Sequence, residues 1–299
     1  MIQLFRVLNL TKQSFYQMLK RRHLMLEEQE QLIPLISEVR VDHPRMSARD
    51  IYLKLKPECM GRDRFERFCM ESGYRIRRLK NFRVTTNSMG VTRFPNLIKD
   101  LKVTGVNQVF VSDITYFDIG LDTYYLTLIM DLFNREVVGW SASDNLRTES
   151  TTLPALHRLI NERGKSNLKG AILHSDGGGQ YYCNEFKALT KNLKISNSMT
   201  ETKVYENSHA ERLNGIIKNN YLYPYNPKDL KSLRKMLQKA VFMYNTDKPH
   251  TALNKLTPIE FARKAIENEN NSSSYCPFST ASSSMKKSNN FSKKSVNVI

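Results

Sequence analysis

Ala171-Ile172-Leu173-His174-Ser175-Asp176-Gly177-Gly178-Gly179-Gln180-Tyr181-Tyr182 is the stretch whose reading decides the fold. Its first three residues read as the end of a buried strand. His174-Ser175-Asp176 and three glycines stop that strand, and the helical-looking Asn184-Glu185-Phe186-Lys187-Ala188-Leu189 follows. A carboxylate at the carboxyl end of a sheet strand, on backbone freed by glycine, stands where open α/β sheets hold their ligands. The plainer reading is a turn, because Asp-Gly is among the commonest loop dipeptides. The neighbouring segments decide between the two.

Upstream, Val109 to Phe117 and Tyr124 to Met130 are rich in β-branched and aromatic residues, with Ile119-Gly120-Leu121-Asp122 between them as a hairpin turn. Glu136 to Ser141 reads as a third strand after the turn at Phe133-Asn134-Arg135. Leu153, Leu156, Leu159 and Ile160 then fall at helical spacing, in a helix opened by Thr148 or Ser150. The strand ending at Asp176, a helix over Phe186 to Leu193 and a short strand at Ile195 to Met199 follow. Three antiparallel strands followed by alternating helices and parallel strands predict an α/β fold, a mixed sheet with helices on both faces.

In that fold Asp113 sits inside a central strand, where a carboxylate is costly unless paired or bound to metal. Asp118, Asp122 and Asp131 read as turn residues. Ser208 and Glu211 fit the S-x-x-E capping box of a helix start. At 100° per residue, Leu213, Ile216 and Ile217 form one apolar stripe of that helix, with Glu211 and Lys218 together on the opposite side. Such a pair has the chemistry to hold a metal and a phosphate, and helix N-termini welcome anions in any case.

The N-terminal third has a different texture. Residues 1–103 hold 21 Lys/Arg against 11 Asp/Glu, a net +10 within the +17 of the 299-residue chain. Such an excess points to a polyanionic partner. Thr11 caps a short helix predicted to end in Lys20-Arg21-Arg22, Ser47 caps Ala48 to Lys56, and Gly61 precedes a third helix. In that third helix Phe65 and Phe68 face inward and leave Arg62, Arg64 and Arg67 outside. Arg75, Arg77 and Arg78 alternate with apolar residues in the run that follows. Helix, turn and helix with exposed arginines suits a reader of the major groove of double-stranded DNA. A small bundle with merely solvated charges is the bland alternative.

No apolar run approaches the roughly 18 residues of a membrane span, and the first twenty residues lack the apolar core of a signal peptide. Cys59, Cys69, Cys183 and Cys276 form no CxxC, which excludes a zinc ribbon or disulfide framework and suggests the reducing cytoplasm. The segments read as two helix-turn-helix-like units at 1–24 and 25–84, a linker at 85–105, an α/β core at 106–222, a helical extension at 223–266 and a disordered tail at 267–299. Leu233, Met236, Leu237, Ala240, Val241 and Tyr244 give the extension one apolar face.

Four separated motifs, in order, resemble the DDE-type transposases of bacterial insertion sequences. They are Val111-Ser112-Asp113-Ile114-Thr115-Tyr116; His174-Ser175-Asp176-Gly177; Glu211 with Lys218; and Tyr244-Asn245, Lys248-Pro249-His250, Leu253, Thr257-Pro258 and Phe261. His43-Pro44-Arg45-Met46 and Gly61 to Phe65 resemble the helix-turn-helix region of the same family. The resemblance implies a ribonuclease H-like, retroviral-integrase-like core in which Asp113, Asp176 and Glu211 are catalytic and bind Mg2+ or Mn2+, two ions in all. It implies Lys218 on a DNA phosphate, hydrolysis at element ends followed by strand transfer into target DNA, and a homo-oligomer on DNA. Two departures stand out: 34 residues separate Asp176 from Glu211, one fewer than usual, and Gly177 stands where relatives often carry Arg. No His-His-Cys-Cys module is present. Related elements often place a separate helix-turn-helix in an upstream reading frame joined by frameshifting, and the sequence leaves open whether this chain is the downstream product alone. A ribonuclease H-like nuclease without joining activity shares the carboxylates but needs no sequence-specific N-terminal region. An inactive DNA-binding remnant needs none of the three acids. His174 and His209 read as structural rather than as ligands.

Overall fold

A computed structural model of the chain describes residues 11–76, 94–200 and 207–273. The hairpin of β1 (Val109–Ile119) and β2 (Asp122–Asp131) forms as the aromatic and β-branched runs demand, turning at Gly120, whose φ of 62° suits glycine. β3 (Val137–Ser143) pairs antiparallel with the outer edge of β2. On the other side β4 (Ile172–Ser175) pairs parallel with β1, and β5 (Ser196–Met199) parallel with β4. The order β3-β2-β1-β4-β5 makes β1 central in a mixed five-stranded sheet.

Side chains alternate across that sheet. Val111, Phe117, Leu126, Leu128 and Met130 pack on one face against Leu213 and Ile217 of α6 (Ser208–Ile217) and Leu233 and Leu237 of α7 (Leu230–Thr246). Phe110, Ile129 and Leu173 pack on the other face, against α4 (Thr152–Arg163) and α5 (Asn184–Asn192). Helices therefore cover both faces. Gly139 permits the approach of α4, since a Cβ there would stand 2.4 Å from the Ala155 carbonyl oxygen. At the start of edge strand β3, Asn245 of α7 serves as a surrogate partner. Its Oδ1 accepts from the Val137 N–H at 2.9 Å and its Nδ2 donates to the Val137 carbonyl at 2.8 Å.

The N-terminal helices are α1 (Lys12–Asp42), α2 (Ala48–Leu55) and α3 (Arg62–Glu71). Thr11 and Ser47 cap the first two as the sequence predicts, and Ile36, Met46, Ile51, Phe65 and Phe68 form the bundle's core. The predicted stop at Lys20-Arg21-Arg22 is not realised. No glycine or proline follows that run, and the helix formers Leu24 to Glu28 carry α1 across the boundary expected at residue 24. Residues 267–273, expected to open a disordered tail, are helical instead. Thr257 and Glu260 form a reciprocal capping box, Pro258 pre-sets the first turn, and α8 (Pro258–Ser273) runs through the polar residues 268–273. Residues 274–299, and the run with Arg77 and Arg78, lie outside the described residues.

The bundle is bolted to the far end of the chain. His43, 1% exposed, places Nδ1 3.0 Å from Tyr221 Oη and Nε2 2.7 Å from Asp247 Oδ2. The carboxylate only accepts, so Nε2 donates and the neutral ring takes the tyrosine proton on Nδ1. Lys54 also meets Asp247, Lys248 meets Asp50 at 3.1 Å, and Tyr225 Oη donates to the Asp42 carbonyl at 2.8 Å.

Candidate active site

The parallel register of β1 and β4 ends at Ser112 beside Ser175, so the next residues, Asp113 still within β1 and Asp176 just past the end of β4, follow as neighbours. The glycine loop after Asp176 is held from both sides. Ser112 Oγ and Tyr181 Oη are 2.7 Å apart in the core, and the Gly178 N–H donates to Asp176 Oδ1 at 3.1 Å. Gly177 has φ 86°, and a Cβ there would lie 2.3 Å from Met199 Cε and 2.7 Å from Tyr182 Oη. The departure from Arg at this position therefore has a local cause: a left-handed backbone that favours glycine, with Met199 and Tyr182 having to shift for any side chain.

The third acid comes from α6. The capping box expected from Ser208 and Glu211 does not form, because the helix begins one residue earlier relative to that motif. Asn207 is the cap and makes no side-chain cap bond; its Nδ2 instead donates to the Ser112 carbonyl at 3.0 Å. That bond ties the start of α6 to β1 beside Asp113. Glu211 lies exposed in the first turn. One turn on, Asn214 Nδ2 donates to Asp113 Oδ2 at 2.7 Å. Lys218 leaves the exposed side assigned to it: half-buried, it donates to Thr115 Oγ1 at 2.7 Å and to the Tyr116 carbonyl at 3.2 Å. There the helix widens into a π-helical turn, Lys218–Leu222.

Asp113 is held well above the usual carboxylate range, first by burial and then by the charges of Asp176 and Glu211. Asp176 is also raised. Its side chain reaches the surface, yet the protein packed around its carboxyl desolvates it, and it shares a hydrogen bond with Asp113. A buried carboxyl opposed by a neighbouring carboxylate marks a place short of positive charge. The donors are all oxygen, the chemistry of Mg2+ or Mn2+ rather than zinc. Among the described residues, however, no three His, Cys, Asp or Glu side chains are gathered as a ready-made metal site. Asp113 and Asp176 are together, and Glu211 is felt at Asp113 as a charge without joining them.

His174 is buried, with Nδ1 2.9 Å from Ser198 Oγ, as a core histidine would be. His209 Nδ1 accepts from Arg135 at 2.6 Å. Asp131 is the turn residue it was read as, accepting from the Asn107 and Phe133 N–H groups. Sequence reasoning missed Asn207, Asn214 and Tyr181. The one usable signal was Asn214 lying three residues, one helical turn, beyond Glu211.

Far from this site, α3 exposes Arg64 and Arg67, and Arg75 is exposed just beyond it. Arg62 is also exposed but paired with Asp63 at 2.7 Å. Arg64 joins Arg21, Arg22 and Glu28 of α1 in lining an open groove of about 410 Å³. No helix of the described residues is long and apolar enough to cross a membrane.

Two family models, both described as integrase core domain, match residues 103–203 and 193–258. An insertion element IS600 31 kDa protein of Shigella sonnei is 29% identical over 210 residues, 69% of this chain and 76% of that protein. The transposase InsK of IS150 from Escherichia coli is 27% identical over 188 residues, 62% of this chain and 64% of that one. The IS904 transposase of Lactococcus lactis is 26% identical over 172 residues, 56% and 67% of the two chains. Among solved structures, the HTLV-2 integrase catalytic core in complex with magnesium aligns at TM-score 0.44 and 22% identity, over 54% of this chain and 99% of that one.

Proposed function

We propose that this chain, matched across residues 103–258 by integrase core domain models and similar to insertion-sequence transposases, is a polynucleotidyl transferase that cuts DNA at the ends of an insertion element and joins them to target DNA. The observation that carries the reading is the pair Asp113 and Asp176, set side by side by the β1–β4 register, with Asp113 buried and opposed by the charge of Asp176. In this reading Asp113, Asp176 and Glu211 hold two Mg2+ or Mn2+ ions. When bound, such ions polarise the scissile phosphate and raise the nucleophilicity of water or of a 3′-hydroxyl.

The chain's own residues do the rest. Asn214 keeps Asp113 Oδ2 oriented, and the Gly178 N–H keeps Asp176 Oδ1 oriented, so neither carboxylate need reorganise on loading. Asn207 fixes the start of α6 against β1 and with it the position of Glu211. Lys218, held on β1, presents a positive charge near Asp113 for the backbone of the bound strand. Hydrolysis and strand transfer are both in-line displacements, so one site serves both. Arg62, Arg64, Arg67 and Arg75, with Arg77 and Arg78, supply the contacts to the element ends. Copies of the chain assemble on DNA in the bacterial cytoplasm.

The test is Mg2+-dependent nicking and joining of a labelled duplex that ends in the terminal repeat flanking the gene. Asp113→Asn and Asp176→Asn should each abolish both reactions while binding to that duplex stays within about twofold. Full cleavage by either variant, or binding lost in step with cleavage, would defeat the reading.

A further inference from the structure

Arg135 has a left-handed backbone, φ 64°, in the turn between β2 and β3, where its N–H donates to the Asp131 carbonyl at 2.9 Å. Glycine or asparagine adopts that conformation readily; arginine is strained in it. An observed backbone outlier of this kind is a pointer to function. The side chain is half-buried and crosses to α6, where Nη1 donates to His209 Nδ1 at 2.6 Å. His209 lies two residues before Glu211, and Arg212 directly after it. Burial lowers both Arg135 and His209, and the Arg212 charge adds to it in each.

Among the described residues neither Arg135 nor Arg212 has an ion pair. The carboxylates of the same turn are engaged elsewhere: Asp131 with two backbone N–H groups, and Glu136 with Arg163 and Asn134. On α6, Arg212 lies about 100° round the helix from Glu211, while Lys218 lies about 20° to the other side. His209 lies about 160° round in the same direction as Arg212, so two guanidiniums and an imidazole gather on the side of α6 beyond Arg212, and an ammonium stands on the other side of Glu211.

We propose that Arg135, His209 and Arg212 form a seat for a phosphate of the DNA backbone, beside Glu211 and distinct from the contacts of Lys218 and of the N-terminal arginines. The seat holds the strand that crosses the first turn of α6. Arg135 and Arg212 donate to the phosphate oxygens, and His209 fixes the Arg135 fork by accepting on Nδ1. The inference rests on the reading of this site as one that acts on DNA.

The backbone strain supplies the test. Arg135→Gly removes the guanidinium and relieves the left-handed turn, so the full-length variant should unfold at or above the wild-type temperature. Its DNA affinity should nevertheless fall, and the slope of log K against log salt should flatten by about one unit, one phosphate contact. Arg212→Ala should do the same, and Arg135→Asn, which also tolerates the turn, guards against an effect peculiar to glycine. Two probes are used: a duplex ending in the flanking terminal repeat, and a random duplex of equal length. Flattening with the first alone assigns the seat to the element's end, and flattening with both assigns it to any DNA at the site. Wild-type slopes in Arg135→Gly and Arg212→Ala with both probes would overturn the seat and leave the transposase reading standing. A wild-type protein that binds neither duplex would overturn both.

Discussion

Lys218 Nζ and Thr115 Oγ1 lie 2.7 Å apart, so the lysine two turns beyond Glu211 is fastened to the central strand. Burial lowers the lysine's pKa, while the charges of Asp113 and Asp118 act against that. The sequence alone placed this lysine on the exposed side of its helix, against a DNA phosphate, where its loss changes stability by under about 0.5 kcal/mol. The structure predicts more: Lys218→Met leaves the buried Thr115 hydroxyl without its partner and should cost about 1–2 kcal/mol in urea unfolding. A change below about 0.5 kcal/mol would show that the contact is dispensable.

Asp113→Asn should raise the stability of the protein prepared without metal. The substitution removes a carboxyl whose ionised form is opposed by burial and by two neighbouring charges, and keeps an oxygen for Asn214. A gain of roughly 1 kcal/mol is expected at pH 7, the usual cost of an active-site charge to the fold. An unchanged or lower melting temperature in metal-free buffer would contradict that electrostatic account.

Gly177→Arg restores the residue that related transposases often carry, and should harm this one. It forces a side chain into φ 86° and drives Cβ against Met199 and Tyr182. Destabilisation by at least about 1 kcal/mol is expected, with DNA joining reduced because the strain falls on the residue after Asp176. Wild-type stability and joining in this variant would mean that the loop adapts freely.

His250 gives stability a pH dependence of defined sign. Burial first, then Lys248, pushes its pKa down to about 3, with the ring edge-on to Tyr244. The unfolded chain binds the proton near pH 6.5, so the stability is whole above that value and is lost as pH falls towards 3. Between pH 7.5 and 5.5 this single group should remove about 1.4 kcal/mol. Asp113 titrates with the opposite sign, so the measurement is the difference between wild type and His250→Gln across that interval. A difference that does not change with pH would count against a buried neutral imidazole.

How far the sequence could be read depended on whether a signal was local. The β1–β2 hairpin is written in consecutive residues, and so is the strand that delivers Asp176. Asp113 was conspicuous because a carboxylate inside an apolar strand needs a reason. Glu211 could be placed on its helix, but its exposed pose and its separation from the two aspartates depend on how α6 docks, which Asn207 and Asn214 set from outside any motif. Lys218 was misread because the 3.6-residue period gives no warning of a helix that widens at that residue. The length of α1 was missed because a basic run resembles a helix end, while the residues that continue the helix come afterwards. The His43–Tyr221 and His43–Asp247 bonds span 178 and 204 residues, and no local pattern reports such pairs.

Asn245 has a consequence for the behaviour of the protein in concentrated solution. β3 is an outer strand, and an outer strand offers its free N–H and C=O groups to any other chain that can pair with them. By occupying both groups of Val137, the Asn245 amide blocks the end of that strand where sheet-to-sheet growth would find a register. Asn245→Leu should therefore show itself less in the melting curve than in the soluble yield: protein accumulating in inclusion bodies, and light scattering rising with time at temperatures where the wild type stays clear.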